Sequence, residues 1–199
     1  MSAGSERGPA QTLIELKNVG KRYGANWVFT DVNLTIPKRG VVAFVGDSGT
    51  GKTTLSRIVL KLTAPSRGRV WHEHELTVSA LFAEDRLLPT QTIEQNLQYV
   101  GVEPRRATAL AQELGIAQVM GSYPTELSTG MGRRAALLRA LMVPSDVLLL
   151  DEPFKGIDTR QRDLIAPCVA RERDRRAVLL IDHDTDRVAA LADKVVQLT

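Results

Sequence analysis

The chain has 199 residues, 43% of them hydrophobic and 25% charged, with a formal net charge of +3. That length suits one globular domain with a buried core, and the weak, scattered basic excess excludes any charge-based argument for nucleic acid as a partner. A lone cysteine, Cys168, excludes an internal disulfide and points to the cytosol; it reads as a small core residue.

Residues 1–11 are small and polar and read as a flexible tail, not a signal peptide. No apolar run is long enough to span a bilayer, so work at a membrane would need other chains to do the spanning. A single domain is expected over residues 12–199. Thr12–Leu16 starts it as a strand, and Asn18–Arg22 is polar and turn-like. The alternation Val32, Leu34, Ile36 suggests a half-exposed strand within Val28–Ile36, and Pro37–Gly40 turns into the apolar strand Val41–Val45. Short turns join these first strands, so an antiparallel arrangement is expected. Leu55, Ile58, Val59 and Leu62 fall on one helix face. Val70-Trp71 and Leu76–Phe82 read as two strands, with His72–Glu75 as a polar hairpin turn and not a metal pair, since no third and fourth ligand is in view.

Ala83–Pro89 is a loop, after which the pattern turns helical. A short helix is expected over Thr92–Tyr99. A second opens at Pro104, with Ala107, Leu110, Ala111 and Leu114 as its apolar face and Gly115 at its C-terminal cap. Leu127–Met131 opens an Ala/Leu-rich helix to Leu141, on which Arg133, Arg134 and Arg139 read as a solvated or partner-facing side. The helical stretch, about residues 90–140, reads as an insertion into an α/β core. Asp146–Leu150 is an apolar strand, Asp158 caps a helix that Pro167 should bend or end, Ala177–Ile181 is another buried strand, Asp184 caps a last helix, and Lys194–Leu198 ends the chain as a strand.

Gly46-Asp47-Ser48-Gly49-Thr50-Gly51-Lys52-Thr53-Thr54 fits G-x-x-x-x-G-K-[ST] between a strand and a helix, the setting a phosphate-binding loop requires. Its glycines let backbone N–H groups line an anion site facing the positive end of the following helix. Lys52 can reach the β- and γ-phosphates of a nucleoside triphosphate, and the Thr53 hydroxyl can ligand Mg²⁺. Asp151 and Glu152 end an apolar strand at the edge where α/β sheets bind ligands: Asp151 suits Mg²⁺, and Glu152 can polarise a water against the γ-phosphate. His183 follows a second such strand and can donate to the γ-phosphate or the water.

In this order the phosphate loop, Leu127-Ser128-Thr129-Gly130-Met131, Leu148–Pro153, Asp158 and His183 resemble the nucleotide-binding subunit of an ABC transporter, from about Leu13 to Leu198. Asp85–Pro89 and the Ser128-x-Gly130-Met131 pattern most resemble the nitrate, sulfonate and taurine importer branch. The resemblance implies a P-loop NTPase core sheet with an N-terminal antiparallel β subdomain and an inserted α-helical subdomain. It implies an ATPase using ATP and Mg²⁺ at the cytoplasmic face of the membrane, driving a separate transmembrane permease, with an extracytoplasmic solute-binding protein if it imports. Two copies would close head to tail on two ATP molecules. Tyr23 would stack on adenine. Ser128, Thr129 and Gly130 would meet the γ-phosphate held by the opposite copy, and Asp158 would cross the interface. Glu152 would act as base and His183 as γ-phosphate sensor.

Some positions depart from that pattern. Ala83 stands where a glutamine is usual, and an alanine can contact neither metal nor water. Thr129 replaces a glycine, Lys155-Gly156-Ile157 is an uncommon turn, and the chain closes soon after its last strand. A degenerate, low-turnover cassette is therefore the alternative to a transport ATPase. A soluble repair or translation ATPase lacks its second cassette or coiled coil here, and a P-loop kinase would not need the Ser128 signature.

Overall fold

A computed structural model describes residues 11–198; the tail expected over residues 1–11 lies outside these save for Gln11, whose carbonyl accepts from Lys38 N. The strands are β1 (Thr12–Tyr23), β2 (Asn26–Pro37), β3 (Gly40–Val45), β4 (Arg67–His72), β5 (Val78–Leu81), β6 (Val147–Asp151), β7 (Ala177–Ile181) and β8 (Lys194–Gln197). The helices are α1 (Lys52–Val59), α2 (Ile93–Tyr99), α3 (Pro104–Glu113), α4 (Thr129–Met142), α5 (Thr159–Glu172) and α6 (Thr185–Leu191). Two short 3₁₀ turns, Ala117–Val119 and Pro124–Glu126, join α3 to α4.

β2, β1 and β4 form an antiparallel sheet, and β5-β6-β7-β3-β8 a parallel one. β6 and β7 are buried throughout and β3 nearly so, which explains their unbroken apolar runs. Alternate residues serve different layers. Val41, Ala43, Val45, Leu148, Leu150, Val178 and Leu180 pack with the helices α2, α3 and α4. Val42, Phe44, Val147, Leu149, Leu179 and Ile181 pack with α1 and the antiparallel sheet.

Several local expectations change. Asn18–Arg22 is no turn: β1 continues through it, absorbing irregular register with Asn18 at φ 50°. His72–Glu75 is no hairpin either, because β4 pairs with β1 while β5 joins the parallel sheet, so the segment crosses between sheets. α1 ends before Leu62, which is 64% exposed and leaves the expected face. Pro167 lies inside α5 without ending it, since Ile165, Cys168 and Val169 hold that helix on the core.

The largest correction concerns α4. Arg133 and Arg134 are 2% and 4% exposed, not solvated. Arg134 donates to Leu114 O (2.7 Å) and to Gly130 O (3.1 Å). Arg139 donates to Asp85 O (3.0 Å) and Arg86 O (2.9 Å). These guanidiniums donate mostly to carbonyls outside regular strands and helices, at the end of α3 and in the loop after β5.

Candidate functional site

In the parallel sheet β7 lies between β6 and β3, so the C-terminal tips of three adjacent strands carry the loops of interest side by side. At the first tip the chain leaves β3 through Gly46 at φ 143°, where an added Cβ would lie 2.3 Å from Leu198 O. No side chain fits there. At Gly51 (φ 95°) a Cβ would meet Val28 Cγ1 at 2.5 Å. Gly51 is also the N-cap of α1 and gives it no side-chain cap, so the first N–H groups of α1 are not capped from that position. Thr50 Oγ1 donates to Asp47 O (2.9 Å), and Lys52 Nζ donates to Gly46 O (2.7 Å) and Asp47 O (2.6 Å). The ammonium is thereby held across the mouth of the loop.

A cleft of about 440 Å³ opens above these tips. Ser48, Gly49, Gly51, Lys52, Thr53 and Thr54 line one side, and Asp151, Glu152 and His183 the other; Val28 and Ile181 add apolar wall. A roomier concavity of about 550 Å³ lies between α2 and α3 against Met120, with no such phosphate-binding loop. The cleft is the candidate site because backbone donors, an ammonium and carboxylates converge there.

Asp151 is 8% exposed, and burial, with the neighbouring Glu152 charge, pushes its carboxyl above the usual carboxylate range; Arg133 pulls the other way. A partly desolvated carboxylate beside the Thr53 hydroxyl fits a divalent cation, which would complete its shell with phosphate and water oxygens. Glu152 sits at φ 50°, unusual for a residue with a side chain. Its N–H donates to Ile181 O (2.8 Å), tying the β6 tip to the β7 tip, and its carboxylate lies 3.2 Å from Lys155 Nζ. His183 is exposed, and the buried Asp182 carboxylate shapes its turn by accepting from His183 N (2.8 Å) and Asp184 N (3.1 Å).

The remaining expected residues lie elsewhere. Tyr23, 55% exposed, pairs with Asn26 at the β1–β2 turn and does not line the cleft. Ser128 caps α4 by accepting from Met131 N (3.3 Å), and Asp158 caps α5 by accepting from Gln161 N (2.9 Å). These two caps are neighbours: a Cβ at Gly130 would lie 3.4 Å from Gly156 O, and one at Gly156 would lie 3.3 Å from Thr129 Cγ2. Exposed Ser128, Thr129 and Asp158 and half-buried Gly130 thus gather in one group, outside the cleft of their own chain. Ala83 lines a smaller cavity of about 220 Å³ that also touches Thr53 and Asp151. The sequence assigns no site role to Asp182, nor to Lys155 and Arg133, which read there as part of an uncommon turn and as a solvated or partner-facing arginine. An Asp directly before His183 was a usable signal for the first; the other two needed tertiary contacts.

A family model described as ABC transporter matches residues 29–155. The aliphatic sulfonates import ATP-binding protein SsuB 1 of Rhodococcus jostii is 38% identical over 96% of this chain and 82% of its own. SsuB of Burkholderia thailandensis is 35% identical over 96% of this chain, which spans only 59% of that relative. A solved ATP binding subunit of an ABC transporter superposes with TM-score 0.83 at 23% identity, over 94% of this chain and 86% of that one. A dimeric bacterial ABC transporter cassette superposes with TM-score 0.82 at 23% identity, over 94% of each chain. The strand-tip cleft and the match from β2 through Lys155 agree, and the chain belongs to the ABC transporter family, as one of its ATP-binding, transport-driving ATPase subunits.

Proposed function

We propose that this subunit hydrolyses Mg²⁺-ATP in the cleft above β3, β6 and β7 to power import of aliphatic sulfonates through a separate permease. The observation that carries the reading is the meeting of Lys52, Thr53, Asp151, Glu152 and His183 in one cleft. The N–H groups at the start of α1 and Lys52 bind the triphosphate tail. Thr53 and Asp151 hold Mg²⁺, which when bound neutralises phosphate charge. Glu152 orients the attacking water and takes its proton, and His183 donates a hydrogen bond to the γ-phosphate. Nothing in the cleft favours a low-turnover cassette, since base and sensor both line it.

Ser128, Thr129, Gly130 and Asp158, grouped away from their own cleft, suit contact with the ATP of a second copy. The proposed assembly is a homodimer at the cytoplasmic face of the membrane, with permease subunits and an extracytoplasmic solute-binding protein. No helix among the described residues is long and apolar enough to cross a membrane, so the permease supplies the spans. The sulfonate assignment follows the names of the relatives. The test is phosphate release from Mg²⁺-ATP: Glu152→Gln should lose about 100-fold or more of the rate while keeping ATP affinity. A wild-type chain inert alone and with its permease would end the reading. Unimpaired growth on an aliphatic sulfonate as sole sulfur source after deletion of the gene would end the substrate assignment.

A further inference from the structure

The contacts of Arg133 are unlike those of the other two α4 arginines. Nη1 donates to Phe82 O (2.5 Å) and Asp85 Oδ1 (3.0 Å). Nη2 donates to both carbonyls of the β6 tip, Asp151 O and Glu152 O, the latter at 2.8 Å. Among the described residues, Arg134 donates to Gly130 O on its own helix and to Leu114 O and Gly115 O just after α3, and Arg139 to the loop after β5 and to Asn96 of α2. Arg133 alone among these three joins that loop to the residues that face the nucleotide.

Two features make this join consequential. Glu152 holds a left-handed backbone that is unfavourable for a side-chain-bearing residue, and such a conformation persists only where its surroundings enforce it. Its N–H is fixed by Ile181 O, and its carbonyl accepts from Arg133 Nη2 (2.8 Å) and from Lys155 N (3.1 Å). At the other end, residue 83 is alanine, so the loop offers no polar side chain there, although Ala83 lines the small cavity that also touches Thr53 and Asp151. The polar link between loop and strand tip that the structure does contain runs underneath, through the Arg133 fork.

We propose that Arg133 is a positioning residue for hydrolysis: it ties Phe82 and Asp85 to the carbonyls of Asp151 and Glu152 and so sets the backbone from which the Glu152 carboxylate reaches the cleft. The proposal rests on Glu152 being the base. Movement of the loop, on which a permease could act, is thereby transmitted to that base without a side chain at position 83.

The test uses the full chain with Mg²⁺-ATP, measuring kcat for phosphate release, affinity for a fluorescent ATP analogue, and the thermal midpoint. Arg133→Lys keeps the charge but loses the fork. Its kcat should fall about 30- to 100-fold, the scale expected for a displaced catalytic group, with nucleotide affinity within about threefold of wild type. Asp85→Asn, which loosens only the loop end, should lower kcat about three- to tenfold, less than additively with Arg133→Lys. Arg139→Lys should lower the midpoint but leave kcat within about twofold, because its bonds stop at the loop. Wild-type kcat in Arg133→Lys, loss of affinity in parallel with kcat, or an equal kcat loss in Arg139→Lys overturns the proposal. If Arg133→Lys does not fold, an unchanged kcat in Asp85→Asn overturns it. Wild-type hydrolysis in Glu152→Gln removes the base assignment itself, and the proposal with it.

Discussion

Two helix N-termini in this chain show how differently the same four orphan N–H groups can be treated. α4 starts after Ser128, whose hydroxyl accepts from Met131 N, so one orphan N–H of its first turn is met by a side chain of the chain itself. α1 starts after Gly51, which has no side chain to offer, and it opens into the cleft beside Lys52. α2 and α5 follow α4: Thr92 and Asp158 cap them. α3 also lacks a side-chain cap, but Pro104 at its start has no N–H to satisfy; α1 is the uncapped N-terminus that faces carboxylates and an ammonium across a cavity. The difference suits α1 to take its cap from a bound anion, as in the proposed phosphate site, while α4 has a side-chain cap of its own and leaves Ser128 exposed outside the cleft.

Ser128→Arg should break this division most strongly. Hydrolysis should fall about 100-fold or more, as when one transition-state donor is lost, while ATP binding by the same chain stays within a few-fold. Isothermal titration beside phosphate release separates the two, and loss of binding would mean that α4 serves its own cleft. Lys52→Ala attacks the other terminus. ATP affinity should drop about 30- to 100-fold, in line with about 2–3 kcal/mol for a charge-assisted hydrogen bond. An unchanged affinity would show that α1 does not bind the triphosphate.

Asp151→Asn sharpens the electrostatic side. Burial raises the Asp151 carboxyl in the folded chain, so the folded state takes up its proton more readily than the unfolded one. The stability this group contributes is full below the unfolded carboxylate range and is lost as pH rises through its raised folded value. At neutral pH, without Mg²⁺ or nucleotide, Asp151→Asn should therefore raise the thermal midpoint by a few degrees; with Mg²⁺-ATP the wild type should gain more than the variant. Calorimetry in both conditions checks the sign. The smallest stability effect is expected for Ser128→Ala, about 1 kcal/mol from the lost cap, seen by urea unfolding, with ATP affinity of the same chain untouched.

The phosphate loop, the buried strands and the cap at Asp158 were legible because each depends on residues within one turn or one strand. The arginines of α4 were misread for a definable reason. From Ala135 to Met142 that helix is apolar nearly all round, the mark of a buried helix, yet arginine is usually solvated. The carbonyls that reverse the preference come from Phe82, Leu114, Asp151 and Glu152, none of them near α4 in the chain. The separation of β4 from β5 was equally hidden, since a polar connection of a few residues serves a hairpin and a sheet crossover alike.

The sequence alone determined the chemistry of the cleft: glycines at a strand-to-helix turn, a lysine and a threonine at the head of α1, and carboxylates at the end of an apolar strand. These follow from residue type and spacing, whereas Leu198 O and Val28, which a Cβ at Gly46 or Gly51 would strike, are brought there by the fold. The tertiary structure decided the company those groups keep. It set β7 between β6 and β3, sent Ser128 and Asp158 to a separate face, and buried Arg133 under Glu152, because long-range pairing and the need to satisfy buried carbonyls are settled only when distant segments meet.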